Sequence, residues 1–289
     1  MKCQLCSEIN SFIEILNLGH QPICNSFLST NDLNTEEVSY PLKLVICQNC
    51  KLVQLANIIS NKTVFGEEFN YLSGTTDNLV KFFNTLSNSI INNFHLSNQD
   101  IVCDIGSNDG SFLKFFKAKD INVIGVEPTP APSKIAIGNG IPTIQSFFTN
   151  SISKKILKEF GSIKVITAMN VIAHTDNIHS FIDGVYQLMN DNSIFISQSH
   201  YLPRLIERLE YDTIYHEHLR YYTLTSLKKL FEMHGLHIFD IELNEIYGGS
   251  ILIYSSKSYR DESSRLKNLF KSETKYQKTD TYLDFSKKV

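Results

Sequence analysis

Ile101-Val-Cys-Asp-Ile-Gly-Ser-Asn-Asp-Gly110 is the stretch on which the reading of this chain turns. An apolar run ends in Asp104, and Gly106 and Gly110 follow four residues apart. The pattern is that of a buried parallel strand breaking into a tight loop. Glycine adopts backbone angles that other residues avoid and lets a ligand approach the main chain. Phe112, Phe115 and Phe116 then fall at helical spacing within 111–119, so a helix N-terminus with free N–H groups should face the loop. A second strand is expected over 122–126, ending at Glu127-Pro128. An acid at the tip of the second strand can grip both hydroxyls of a ribose. The alternative is an ordinary strand–turn–helix corner.

The loop spacing separates two classes of cofactor. A dinucleotide fingerprint is G-x-G-x-x-G, tight enough for a pyrophosphate. Here the order is Asp104-x-Gly106-x-x-x-Gly110, a wider loop whose Asp104 and Asp109 would repel phosphates. It suits a cationic ligand that carries a ribose and no phosphate. The stretch resembles the first motif of class I methyltransferases, which implies S-adenosylmethionine as the cofactor. The expected cofactor-binding residues are Asp104, Gly106, Asn108, Gly110, Glu127, Asn170 and Tyr71.

Around this centre the chain has 289 residues, 42% hydrophobic and 20% charged, with a formal net charge of −3. That describes a folded protein with no global basic field to draw it to nucleic acid or membrane. No apolar run reaches the roughly 18 residues of a membrane span. The start, Met1-Lys-Cys-Gln-Leu-Cys6, is no signal peptide. The chain therefore reads as cytoplasmic, with its six cysteines reduced. Four of them form two C-x-x-C pairs, Cys3/Cys6 and Cys47/Cys50. Two such knuckles complete a tetrahedron of thiolates, a closed shell that implies structural zinc. Redox dithiols or unpaired buried thiols are the alternatives. Cys103 reads as core, and Cys24 as a small buried residue.

The rest of the chain supplies a coarse map. A helix is expected over 77–94, with Asp77 as cap and Leu79, Phe82, Phe83, Leu86 and Ile90 on one face. The segment reads either as a docking helix or, with Tyr71 in the loop before it, as a lid over the cofactor. Further helices are expected over 129–140, 176–189 and 225–234, and strands over 144–148, 163–170, 193–199, 236–243 and 250–255. This alternation predicts an α/β fold, a mostly parallel, doubly wound, Rossmann-like sheet with an antiparallel final hairpin. The predicted organisation is a zinc-binding module over 1–56, a helical linker or lid over 57–98, a methyltransferase domain over 99–256 and a polar helical tail over 257–289. Ligands on such sheets bind at the carboxyl ends of the strands, where Asp104, Glu127, Asn170 and His174 fall.

Chemistry is expected from Tyr215-His-Glu-His218, four titratable side chains in consecutive positions. Histidine suits a general base near neutral pH, and a neighbouring acid or tyrosine can orient it. A polar loop whose histidines satisfy backbone groups is the alternative. The chain as a whole resembles the sugar C-methyltransferases that act on nucleotide-linked 4-keto-6-deoxy sugars. The two cysteine knuckles, Asp104–Gly110, Gly125-Val-Glu-Pro128, Asn170-Val-Ile-Ala-His174, Asp212–His218 and Gly248-Gly-Ser250 carry the resemblance in order. It implies His218 as the base, Tyr215 and Glu217 as assistants, and His174 and Tyr71 at the substrate. It also implies removal of a proton beside a ketone, an enolate, and attack on the cofactor's methyl group. The chain departs from the family in having Gln198-Ser-His200 where an acid is usual, and in stopping before the usual third domain. The second departure suggests a partner chain that supplies the missing wall, or an acceptor smaller than a nucleotide sugar. Two other readings remain at this point: an O- or N-methyltransferase on another small molecule, and a zinc-module adaptor with a degenerate cofactor fold.

Overall fold

The strand that opens the central motif lies in the middle of the larger of two sheets. The computed structural model describes residues 1–65 and 71–289; 66–70, within the expected linker, lie outside the described residues. Eleven strands are described: β1 Phe12–Pro22, β2 Ser39–Cys47, β3 Val53–Leu55, β4 Ile101–Ile105, β5 Asn122–Glu127, β6 Thr143–Gln145, β7 Val165–Met169, β8 Ile194–His200, β9 Arg220–Tyr221, β10 His237–Asn244 and β11 Ser250–Ser256. The seven-stranded sheet runs β10-β11-β8-β7-β4-β5-β6. Its β6-to-β8 part is parallel, and β11 and β10 close it as an antiparallel hairpin. The chain builds outward from β4 to β6 and then returns to β4's other flank with β7. That reversal opens a crevice at the carboxyl ends of β4 and β7. Asp104 pairs in register with Gly125 on one side and Thr167 on the other, which sets it at the crevice.

Local sequence accounts for most elements. The helix Asp77–Phe94 buries Leu79, Phe83, Leu86 and Ile90 and leaves Phe82 half-buried, as the stripe predicts. Asp77 does not cap it: Thr76 precedes the first turn, and Asp77 lies inside it. There a negative charge still favours the helix dipole. Asn177 caps Ile178–Leu188 by accepting from Ser180 N, and Thr223 and Ser226 form a capping box on Leu224–Glu232. A helix at Asn150–Phe160, capped by Thr149, has no counterpart among the sequence expectations. The strand expected over 144–148 is shorter, Thr143–Gln145. Ser146 N turns to Glu127 O, and Phe147 and Phe148 leave the sheet to line the crevice.

The second sheet is antiparallel, in the order β1-β2-β3-β9. Its last strand comes from beyond residue 200, so the cysteine module is completed by the segment that follows Tyr215–His218. Gln54 pairs with Arg220 and Val53 with Tyr221. At one end of this sheet the two knuckles repeat a single geometry. Ser7 N bonds Cys3 O, Lys51 N bonds Cys47 O, and Ser7 and Lys51 are both left-handed, at φ 63° and 62°. The four sulfurs lie within 4.8 Å of one another, with Cys3–Cys50 at 3.4 Å and Cys6–Cys47 at 3.6 Å. These separations are too long for a disulfide. They are close to the ~3.8 Å edge of a tetrahedron with metal–sulfur bonds of about 2.3 Å. The donor set fits zinc, and its closed shell fits a structural role.

The segment after β11 packs into the molecule. Helices Ser264–Ser272 and Thr279–Ser286 bury Leu266, Tyr282 and Phe285, and Tyr276 between them is also buried. Tyr276, Tyr282 and Phe285 join the apolar cluster that includes Leu42, Leu44 and Ile46 of β2. Glu273, 1% exposed, accepts from Tyr201 Oη at 2.7 Å, Leu224 N at 2.6 Å, and Thr225 N and Oγ1 at 2.9 and 2.8 Å. This carboxylate thus serves the first N–H groups of Leu224–Glu232 from outside that helix. Among the described residues no helix is long and apolar enough to cross a membrane.

Two outcomes test this account. Glu273→Gln replaces acceptor oxygens by an amide facing four donors, and should cost about 1–3 kcal/mol of stability; an unchanged thermal midpoint would make the segment a passive appendage. Purified protein dialysed against a weak chelator should retain one zinc per chain, and Cys47→Ser should release it and lower the melting temperature. Less than half an equivalent in the unmutated protein, with its fold intact, contradicts the zinc assignment.

Candidate active site

A cavity of about 620 Å³ opens at the crevice, within the usual range for small-molecule sites. It is lined by the β4 loop and Glu127, by Met169–Val171 and His174, and by Tyr215 and Glu217. Tyr71, Tyr247, Phe147 and Phe148 add aromatic walls. Sequence-predicted residues of both halves, all but Gly110 and His218, therefore line one space.

Asp104 is buried and accepts from Thr167 Oγ1 at 2.6 Å. Burial pushes its carboxyl up to about 7, against the pull of that hydrogen bond, with Glu127's charge adding to the rise. Gly106 has φ +71°, and a Cβ there would meet Val171 Cγ2 at 2.5 Å. Its N–H and that of Ser107 both donate to Val126 O, which curls the loop back over β5. Asn108 is also left-handed, at φ 50°. Its side chain looks to the linker: Oδ1 accepts from Ser73 N at 2.8 Å and Nδ2 donates to Tyr71 O at 3.0 Å. Asp109 accepts from Gly74 N at 2.9 Å in the same way. Gly110, at φ +77°, does not line the cavity; a Cβ there would press on Ile141 and Ala136.

Glu127 lies at the end of β5, where the reading put it. Oε2 accepts from Asn108 N at 2.9 Å, and Oε1 from Thr129 N at 2.8 Å and from Thr129 Oγ1. Burial pushes this carboxyl up while the three donors pull it down. A carboxylate has about four acceptor positions, so roughly one remains for a ligand hydroxyl. Asn170 takes φ 57°, a conformation asparagine tolerates. Asn170 Oδ1, Ser107 Oγ and His174 Nδ1, all on cavity-lining residues, lack a partner among the described residues. Buried polar atoms are rarely left so, and these fit a ligand with hydroxyl and amino donors. Tyr71 Oη lies 3.3 Å from Tyr247 Oη, which bridges the linker to the final hairpin. The described cavity lining holds Asp104, Glu127, Asp176 and Glu217 and no Lys or Arg. It is thus matched to a cationic, phosphate-free cofactor.

The second half of the site is built on the run after Asp212. His218 does not itself line the cavity. It is buried, with Nδ1 2.9 Å from Thr213 O and Nε2 3.0 Å from Tyr215 Oη. The carbonyl can only accept, so Nδ1 carries the proton and Nε2 is the basic nitrogen. Burial, then the neighbouring His174 ring at 4.7 Å, hold the imidazole well below its ordinary range and so neutral. Tyr215 stands between His218 and the space, its phenol pushed up by burial and by Glu217. Glu217 lines the cavity and is pushed up to about 7 by burial, opposed by a hydrogen bond from Asn25 Nδ2 at 2.8 Å. Burial lowers His174 to about 4. His216 is turned away from the cavity, its ring against Tyr40.

Several contributors escaped sequence reading. Arg220 is fully buried and donates to Ile172 O, Thr175 O and Asp176 O at 3.2, 2.6 and 3.1 Å, which fixes the loop that carries His174. Thr129 and Thr167 orient the two acids. Asn25 and Cys24, from the β1–β2 connection, line the cavity. Cys24 is exposed rather than buried, because Pro22 ends β1 and the connection runs over the site. None of these carries a local motif; periodicity and spacing point to none of them.

Comparison with known proteins finds relatives for both the large-sheet domain and the cysteine module. Residues 75–240 match a family described as a methyltransferase domain, and residues 3–65 one described as zinc binding. The C-methyltransferase NovU of Streptomyces niveus is 28% identical over 264 residues, covering 91% of this chain. The chain spans 62% of that relative's length. The S-adenosylmethionine-dependent methyltransferase of Clostridium acetobutylicum ATCC 824 shares the fold, with a TM-score of 0.50 at 14% identity over 64% of this chain and 94% of that one. S-adenosylmethionine at the crevice and zinc on the four thiols are the cofactors on which the sites and the matched families agree. The match over 75–240 covers more than half of the sequence, and the crevice stands where such a fold binds its ligand: the chain belongs to the methyltransferase-domain family.

Proposed function

We propose that this protein transfers the methyl group of S-adenosylmethionine to a carbon of a keto-deoxy sugar, linked to a nucleotide. The observation that carries the reading is the shared cavity: Gly106–Asn108 and Glu127 line one space with His174, Tyr215 and Glu217. The likeness to the Streptomyces niveus C-methyltransferase supports the choice of carbon over oxygen or nitrogen as acceptor. The cofactor would supply a methyl group on a sulfonium centre, held by Glu127 at the ribose, with Asp104, Gly106, Asn170 and Tyr71 around it.

The chain's own residues supply proton handling and position. A carbon nucleophile forms when a proton leaves the carbon beside a ketone. His218 is neutral and has its lone pair aimed at Tyr215 Oη, so a proton taken up on the cavity side reaches Nε2 through that hydroxyl. Glu217 and the Tyr215 hydroxyl are the groups that meet the acceptor directly. His174, held uncharged by desolvation, can donate a hydrogen bond to a developing enolate oxygen. Holding both reactants at one rim supplies much of the acceleration. With four carboxylates and no cation in the described lining, the cavity suits the sulfonium and the sugar end. The phosphates of a nucleotide-linked acceptor would lie outside it.

Glu127→Gln should weaken S-adenosylmethionine binding by about 1–3 kcal/mol in calorimetry, the scale of a charge-assisted hydrogen bond, and NAD should give no heat. Equal affinity in the variant removes Glu127 from the ribose. His218→Asn should abolish methylation of 4-keto-deoxy nucleotide sugars with cofactor affinity unchanged, and Tyr215→Phe should lower turnover by roughly 10²–10⁴-fold, the worth of acid–base help. Product carbon NMR decides between a new carbon–carbon bond and an O- or N-methyl group. Wild-type turnover in His218→Asn would move the proton step to another residue.

A further inference from the structure

Glu217 receives its one side-chain hydrogen bond among the described residues from the connection between β1 and β2 in the cysteine module. Asn25 Nδ2 donates to Glu217 Oε1 at 2.8 Å across 192 positions of sequence. Asn25 follows Cys24 just after β1 ends at Pro22, and its backbone is left-handed, at φ 61°. Asparagine is one of the few side chains that accept this conformation, and its short amide reaches a nearby acceptor. Asn25 and Glu217 both line the cavity. Glu217 is buried, so a single donor decides where its carboxylate points.

We propose that Asn25 is a positioning residue for the transferase site: its amide aims the Glu217 carboxylate at the acceptor end of the cavity, so the cysteine module shapes the reaction as well as the fold. The proposal rests on the methyltransferase reading of the cavity. The groups around Glu217 are few. The Cys24 thiol and the Tyr215 phenol are each pushed up in part by its charge, and His174 bonds its backbone. No lysine or arginine of the described lining competes with Asn25. A donated hydrogen bond favours the ionised carboxylate, and its loss favours the protonated form.

Two variants test this without relying on the fold of either alone. Asn25→Ala deletes the amide. Asn25→Asp keeps the shape and the left-handed backbone while replacing the donor by a second carboxylate. The first readout is the ¹³C NMR titration of Glu217 Cδ in the full chain without acceptor. Its midpoint should rise by about half to one pH unit in Asn25→Ala. In Asn25→Asp it should rise further, the two acids titrating as a pair. The second readout is the pH profile of kcat/KM for a 4-keto-deoxy nucleotide sugar. Its acid limb should move up by the same interval, with turnover near pH 7 falling about three- to tenfold and the Kd for S-adenosylmethionine constant. Unchanged midpoints in both variants overturn the proposal, as does a fall in melting temperature with no movement of the acid limb. If wild-type protein methylates no acceptor offered, the functional reading fails, and the NMR titration still decides whether Asn25 governs Glu217.

Discussion

A guanidinium buried without a carboxylate on it is the constraint around which the two halves of this protein are assembled. Arg220 is 2% exposed, and its two terminal nitrogens donate to three backbone carbonyls, those of Ile172, Thr175 and Asp176. Leaving a charge buried without such partners costs several kcal/mol, so the loop after β7 is held wherever Arg220 is held. Arg220 in turn is a strand residue, paired with Gln54 of the cysteine module. The position of His174 therefore depends on a sheet that begins at the first knuckle. Zinc on the four thiols would stabilise that sheet's end, and through β3 and β9 it would stabilise one wall of the cavity.

The parts of this arrangement legible in the sequence are those fixed by local physics. The β4 run, the glycine loop, the acid after β5 and the stripe on Ile178–Leu188 each follow from a short-range rule, and each stands where the rule puts it. The C-x-x-C pairs carry their own geometry, which is why their convergence could be read across 40 intervening residues. What escaped depends on long-range placement. Nothing local marks Asn25, Arg220 or Glu273, since each acts on a group contributed by a distant element. Phe147 and Phe148 continue an apolar run, and only the turn of Ser146 to Glu127 O takes them out of the sheet. Gly110 has the spacing of a ligand-cradling glycine, but its φ serves packing beneath the loop against Ile141.

The charge pattern of the cavity separates the cofactor from the acceptor's far end. The described lining has four carboxylates and no cation, and three of the acids, Asp104, Glu127 and Glu217, are buried, so their negative field is weakly screened by water. Such a field favours a sulfonium and disfavours a pyrophosphate, the same conclusion that the width of the glycine loop supports. Two of these acids, Asp104 and Glu217, are raised to about 7, because burial penalises charge more than their hydrogen bonds repay. A cation bound beside them would favour their ionised forms. Cofactor binding and the charge state of the acids are thus linked, and each favours the other.

In the proposed reaction, the same burial would decide which residue meets the acceptor. His218 has both ring nitrogens committed, Nδ1 to the Thr213 carbonyl and Nε2 to the Tyr215 hydroxyl, and it does not line the cavity. Desolvation keeps it neutral, which suits a base, but a base needs a path to its proton. The described geometry offers one path, the Tyr215 hydroxyl, which can accept from the cavity side as it donates to Nε2. A phenol held by an imidazole in this way need not become a phenolate, so its raised pKa is no obstacle: the proton passes through it. Glu217 stands beside this hydroxyl in the lining, and its charge opposes ionisation of the phenol. In the proposed reaction the Tyr215-His-Glu-His218 run would divide its work by depth: Tyr215 and Glu217 line the cavity, His218 behind them would store the proton, and His216 is packed against Tyr40 in the frame.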